Sequence, residues 1–191
     1  TVVAEAGADL ANLDTFIHGT TLATNALIGR TGARTAMVTT AGFRDTIEMR
    51  TESRFEQYDL NLVLPAALIE RKDRHVLAER IGVDGRVLRP FDEAEARALV
   101  DHLADRPEDD AYEAVAIGFI HAYVDGAHER RFRDLLLERL PDVAVSISSE
   151  VSPQMREFER FNTVCANAYV QPLMASYLNE LDRQLQAEGA R

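Results

Sequence analysis

The sequence predicts an α/β fold, a mixed, largely parallel sheet flanked by helices. Three observations predict it. Ala114-Val-Ala-Ile-Gly-Phe-Ile120 is a continuous apolar run, which is how a strand covered by helices on both faces reads. Apolar stripes at helical spacing stand on either side of it, at Ala96, Leu99, Val100 and Leu103 and at Phe132, Leu135, Leu136 and Leu140. Strand, turn and helix alternate along the chain, the order that builds parallel sheets through crossover connections.

Residues 1–15 are small and acidic with no strong period, a short helix or the remnant of a linker. Two similar units follow. In the first, 16–18 reads as a strand and 22–28 as a helix, with Gly29 and Gly32 as the break; in the second, 34–38 reads as a strand and 43–49 as a helix. Each unit places two adjacent threonines and a glycine between strand and helix. Gly19 and Gly42 allow positive φ or close backbone approach. Thr20, Thr21, Thr39 and Thr40 either cap free helix N–H groups or hydrogen-bond an anion. Two such turns in succession suggest a ligand edge.

The stretch 50–90 reads as an irregular and hairpin excursion. Arg50, Arg54, Arg71 and Arg74 alternate with Glu52, Glu56 and Asp59, and Pro65 breaks the pattern, which describes either a solvated mixed-charge loop or a contact for substrate or partner. Strands at 76–83 and 86–88 are expected around the Asp84-Gly85 turn. Asp92 and Glu95 then form a capping box, with Phe91 as the staple residue, and Arg106-Pro107 stops the helix.

His121 and Tyr123 follow the carboxyl end of the apolar run, the edge where open α/β sheets place ligands. His121 is a polar contact or acid/base group, or else a hydrogen-bonded structural histidine. The helix at 128–140 is expected to keep its arginines and glutamates outward. A strand at 143–148 leads through Ser149-Glu-Val-Ser-Pro153 into a final helix carrying Met155, Phe158, Phe161, Val164, Cys165, Ala168 and Tyr169 on its apolar face. Pro172 should kink or restart that helix before Leu173, Tyr177, Leu178, Leu181 and Leu185 continue the stripe.

The 191 residues suffice for one sizeable core, and their 46% hydrophobic and 28% charged content is that of a soluble globular protein. A net charge of −11 argues against a nucleic-acid surface. Cys165 is the single cysteine, so no intramolecular disulfide or cysteine cluster forms, and a reducing cytoplasm fits. No run is long and apolar enough to span a bilayer. No metal-ligand spacing appears among the five histidines, and no Gly-x-Ser-x-Gly elbow is present.

His18-Gly-Thr-Thr-Leu-Ala-Thr-Asn-Ala-Leu27 and Gly32-Ala-Arg-Thr-Ala-Met-Val-Thr-Thr-Ala-Gly-Phe-Arg-Asp45 resemble the N-terminal region of the hydantoinase/oxoprolinase family. The similarity continues through Tyr58-Asp-Leu60, Glu79-Arg80, Asp84-Gly85 and Ile120-His-Ala-Tyr123. It returns at Ser148-Ser-Glu-Val-Ser-Pro153, Arg156-Glu-Phe-Glu-Arg160 and Asn167-Ala-Tyr169. That family resembles the actin/sugar-kinase/Hsp70 type, with a ribonuclease H-like fold. Its members include ATP-dependent 5-oxoprolinases, N-methylhydantoinases, caprolactamases and subunits of acetone and acetophenone carboxylases. The family's glycine-rich Asp-x-Gly-Gly-Thr-Phe-Thr-Asp phosphate loop is not found here, and the chain starts at Thr1, so a fragment of a larger polypeptide is expected.

The resemblance implies part of an ATP-dependent hydrolase of cyclic amides that activates its substrate by phosphorylation, with ATP and Mg²⁺ as cofactors. The alternatives are a ketone carboxylase subunit and a non-catalytic structural or subunit-interaction domain. The implied partners are the rest of the polypeptide, a hydantoinase B-type subunit and a small-molecule substrate, with no nucleic acid and no membrane. Gly19, Thr20, Thr21, Thr39, Thr40 and Gly42 are the candidates to line the nucleotide and substrate cleft. His18, His121, Glu150 and Arg156 are candidate polar contacts; Glu157 and Arg160 share the motif of the last two, whose charged groups would equally serve to join the terminal helix to the sheet.

Overall fold

The computed structural model describes residues 15–51, 56, 58–187 and 189. Expectations for 1–14 and for Glu52 and Arg54 lie outside the described residues. The core is a four-stranded, wholly parallel sheet of β1 (Thr35–Thr40), β2 (Arg74–Leu77), β5 (Ala114–Gly118) and β6 (Ala144–Ile147), in the order β2-β1-β5-β6. Every residue of β1 and β5 is buried, as the two inner strands of a sheet covered on both sides require. β1 meets β5 with Thr35 opposite Ala114 and β2 with Met37 opposite Arg74.

Successive side chains leave a strand on opposite faces, so the sheet sorts its residues into two cores. Ala36, Val38, Val115 and Ile117 face α3 (Glu93–Ala104) and α4 (Ala127–Arg139), through Ala96, Val100, Leu103, Phe132, Leu135 and Leu136. Met37, Ala114 and Ala116 face α2 (Thr46–Met49) and α6 (Glu157–Ala187), through Ile47, Phe161, Val164, Cys165 and Ala168. The result is the expected α/β class, with helices on both faces of a parallel sheet. Cys165 is 1% exposed, and burial pushes its thiol up to about 12, the behaviour of a small core hydrophobe. α1 (Leu22–Gly29) packs against α6, and Arg30 ends it in the left-handed conformation, its N–H returning to Ala26 O.

Several elements differ from expectation, each for a visible reason. Residues 16–18 form no strand and are exposed; no neighbouring strand offers them hydrogen bonds. Thr39 and Thr40 belong to β1 itself, because β-branched threonine suits a pleated strand as well as a turn. The helix after Gly42 is limited to α2. The expected strand at 76–83 is divided: β2 ends at Leu77, and β3 (Arg80–Ile81) pairs antiparallel with β4 (Val87–Arg89) in a separate two-stranded sheet. Thus part of the 50–90 excursion joins the main sheet. Gly85, at φ 80°, makes the hairpin turn that Asp84-Gly85 announces.

Asp92 caps α3 by accepting from the N–H groups of Ala94 and Glu95, at 2.8 and 3.1 Å. Glu95 does not return the bond to Asp92; its carboxylate accepts from Ala78 N–H at 3.1 Å and fixes the exit from β2. In α4 the glutamates are not all outward: Glu129 is fully buried. Between β6 and α6 lies a short helix, α5 (Ser148–Val151), and Met155 is 67% exposed, outside the stripe it was expected to join. α6 runs through Pro172 without a restart, since one missing donor leaves the rest of a 31-residue ladder intact.

Candidate functional site at the carboxyl edge of the sheet

The carboxyl ends of β1, β2, β5 and β6 meet in a buried polar knot. Glu79, 1% exposed, lies just beyond β2 and accepts hydrogen bonds from the Thr40 hydroxyl and, at 2.7 Å, from His128 Nδ1. Thr40 Oγ1 in turn accepts from Ile120 N–H at 2.9 Å. This chain ties β1, β2, β5 and α4 at one point. A carboxylate only accepts, so His128 Nδ1 is the donor in this bond.

Glu129, on α4, forms the second half of the knot. Its Oε1 accepts from Phe119 N–H at 2.8 Å and from the Ser148 hydroxyl at 2.6 Å, and its Oε2 accepts from Ser149 N–H at 2.8 Å. Burial pushes its carboxyl above the ordinary range, opposed by those hydrogen bonds. Arg160 of α6, 1% exposed, donates Nε to Ser148 Oγ at 3.1 Å and reaches the carbonyls of Phe119 at 2.7 Å and Gln154 at 3.0 Å. Burial lowers its pKa, and the negative charge of Glu129 opposes that shift. Its guanidinium carbon also stands 5.4 Å from the Tyr123 ring centre.

His121 follows β5 at φ 58°, a left-handed conformation uncommon for a non-glycine residue. Its Nδ1 donates to the carbonyl of Ile81 at 2.8 Å. Glu150 is half of an ion pair, both its oxygens lying 3.0–3.1 Å from Arg133 NH1. Arg156, at φ 82°, is exposed and its carbonyl accepts from Arg160 N–H at 3.2 Å.

The two glycine-threonine turns are not brought together. Thr20 Oγ1 accepts from Leu22 N–H at 3.2 Å and Thr21 Oγ1 from the Asn25 side-chain amide at 3.4 Å, both local contacts; Thr21, the N-cap residue of α1, makes no side-chain cap bond. Gly19 has no atom within 4 Å of a Cβ built on it and no positive φ. His18 bonds Tyr177, seventeen residues along α6 from Arg160, about 25 Å at the helical rise. Gly42 alone, at φ 91° and open to solvent, behaves as the turn expectation required.

A magnesium nucleotide at this edge would need polar atoms free to meet its phosphates and metal ion. Thr40 is committed to Glu79 and Ile120; Thr39 Oγ1 is buried and has no partner; the N–H groups of Ala41 and Phe43 are taken by Leu77 O and Thr40 O at 2.9 and 3.0 Å. Among the described residues no three His, Cys, Asp or Glu side chains gather to hold a metal ion. The residues present do not by themselves form a phosphate cradle. Among the described residues the edge is a rigid base to which the His121 and His128 imidazoles are fixed through Nδ1.

Glu79, His128, Glu129 and Arg160 carry this edge; of these the sequence weighed only Arg160, as a motif residue that serves the site or joins the terminal helix to the sheet, and the structure shows it making that join. For Glu129 a signal existed: with Phe132 and Leu136 it occupies the i, i+3, i+7 positions of the apolar face.

Fold and edge together define a parallel-sheet α/β unit whose polar chemistry collects at the carboxyl ends of its strands. Residues 1–140 match the family model described as the hydantoinase/oxoprolinase N-terminal region, and the chain belongs to that family. It is 34% identical over 184 residues to caprolactamase subunit alpha of Pseudomonas jessenii, covering 95% of this chain and 26% of that one. With the acetophenone carboxylase gamma subunit of Aromatoleum aromaticum it shares 30% identity over 193 residues, 94% of this chain and 26% of that one. The crystal structure of the ATP-dependent caprolactamase from Pseudomonas jessenii superposes on it with a TM-score of 0.86 at 33% identity, covering 100% of this chain and 28% of that chain. The chain therefore spans about a quarter of the length of these relatives.

Proposed function

We propose that the complete protein is an ATP-dependent hydrolase of cyclic amides that activates the amide by phosphorylation, and that this chain is one structural part of it. The observation that carries the reading is the similarity of the whole chain, in sequence and fold, to the caprolactamase. ATP and Mg²⁺ are the proposed cofactors, with phosphate contacts drawn mainly from residues beyond this chain. The contribution of the chain is a rigid sheet whose carboxyl edge is locked by Glu79, Glu129 and Arg160. Relatives named as alpha and gamma subunits support assembly with a partner, for which a hydantoinase B-type subunit is proposed. A lone buried cysteine fits a cytoplasmic setting.

The test is ADP release by the full-length protein with its partner, using 5-oxoproline, hydantoin and caprolactam in the presence of Mg²⁺. Ring opening coupled to ADP release supports the reading. Consumption of a ketone with bicarbonate, and no ring opening, would assign the protein to the carboxylases, the second reading that the acetophenone carboxylase similarity favours. No nucleotide turnover under either condition would overturn both and leave a subunit-interaction role. In the active protein, Thr20→Ala with Thr21→Ala is expected to slow turnover; unchanged kinetics would remove that turn from the site.

A further inference from the structure

Two open depressions in the described residues differ in charge. One, of about 360 Å³ at the amino-terminal edge of β1, sets Glu70, Asp73 and Glu113 against Arg34. The other, of about 380 Å³, runs between α1, α2 and α6 over residues 66–68. Among the described residues its charged lining is Arg30 and Arg50, with no carboxylate, while Leu27, Ile47 and Phe158 contribute apolar walls. In a protein with a net charge of −11, a cationic groove is a local exception to the overall field.

Both arginines are tied to one segment, residues 65–67. Arg30 donates to the carbonyls of Ala66 and Ala67 at 2.6 and 3.2 Å, and Arg50 donates to that of Pro65. Arg50 has φ 58° and ψ −141°, a backbone state suited to glycine, and Arg30 is left-handed at φ 54° and ψ 42°. Such strain persists where surrounding structure over-determines it, and it clusters at ligand clamps. Each guanidinium carries five N–H donors, so the carbonyls do not exhaust either fork.

We propose that this groove binds a small organic carboxylate with an apolar body, its carboxylate against Arg30 and Arg50 and its body along Leu27, Ile47 and Phe158. The planar guanidinium matches a carboxylate in two-point contact. A free phosphate would bring its hydration shell onto apolar walls and gain nothing from them. The volume falls within the range, about 300–1,000 Å³, of small-molecule sites. This inference is independent of ATP-dependent catalysis.

The experiment is isothermal titration of the full-length protein with sodium benzoate and with benzamide, its neutral counterpart. Benzoate is expected to bind saturably, and benzamide about tenfold more weakly or not at all. Ala166→Phe, which places a ring in the groove and leaves both arginines in the sequence, should abolish benzoate binding while far-UV circular dichroism stays unchanged. Arg30→Gln with Arg50→Gln should weaken benzoate about tenfold or more and leave benzamide unaffected. The proposal is overturned by an absence of saturable benzoate binding, by equal affinity for benzamide, or by wild-type affinity in Ala166→Phe. The comparison of benzoate with benzamide decides the matter even if a variant fails to fold.

Discussion

Glu79 and His128 meet at 2.7 Å, the carboxylate enclosed beyond β2 and the imidazole on the first turn of α4, its side chain 12% exposed. Glu79→Leu leaves the His128 N–H and the Thr40 hydroxyl without their acceptor. It should cost about 2–4 kcal/mol of stability in urea denaturation. Combined with His128→Leu, the cycle should yield a coupling of about 1–3 kcal/mol. Additive losses would show that the two residues act separately.

Arg160 holds three separate acceptors while 1% exposed. Arg160→Ala opens carbonyls and a hydroxyl to an apolar interior and leaves Glu129 without its nearest cation. A loss of about 3–5 kcal/mol is expected. Arg160→Lys should recover only part of it, since an ammonium cannot span the same fork. Full recovery by lysine in denaturant titration would mean that charge alone matters here.

Glycine substitutions separate the packed interior from the exposed turn. A Cβ on Gly118 would stand 2.6 Å from the Phe161 ring, whereas one on Gly19 meets nothing within 4 Å. Gly118→Ala should lower stability by about 1–3 kcal/mol and Gly19→Ala should change it by less than about 0.5 kcal/mol. Melting temperatures of the two variants check the contrast directly.

His75 supplies a pH dependence. Burial, then the facing His102 ring at 5.5 Å, pushes its pKa down to about 4 from 6.5. Asp73 opposes that shift, and Arg106, which with Asp73 bonds the Tyr112 hydroxyl beside the ring, reinforces it. Because the unfolded chain takes up this proton first, its contribution to stability is complete above about pH 6.5. It is lost as pH falls from there to about 4. Allowing for solvent screening at a partly exposed ring, the loss is about 1–2 kcal/mol, and His75→Gln should flatten it. Imidazole NMR that places the His75 midpoint near 6.5 would rule this out.

The parts of the fold written in local pattern were legible from the chain alone. The apolar run at 114–120 marked an inner strand, Asp92 marked a helix start and Asp84-Gly85 marked a hairpin. The parts set by distant partners were not. Glu129 read as a surface charge because the groups that satisfy it, Ser148 and Phe119 among them, come from other elements. Likewise, the glycine-threonine turns look alike in sequence. Only tertiary position shows that one ends an inner strand and the other leans on the outer half of α6.

The parallel order β2-β1-β5-β6 has a consequence for synthesis. β1 lies between strands that arrive later, and its partner β5 begins at residue 114. At roughly 5–20 residues per second, about 4–16 s separate the emergence of Thr40 from that of Gly118. Throughout that interval the β5 edge of β1 awaits its partner, and the apolar side chains of its faces lack the later helices α4 and α6 that complete both cores. Non-local pairing of this kind folds slowly and leaves strand edges open to other chains. The nascent chain is therefore most vulnerable to aggregation before its central sheet can close, and chaperone demand during translation should peak in that window.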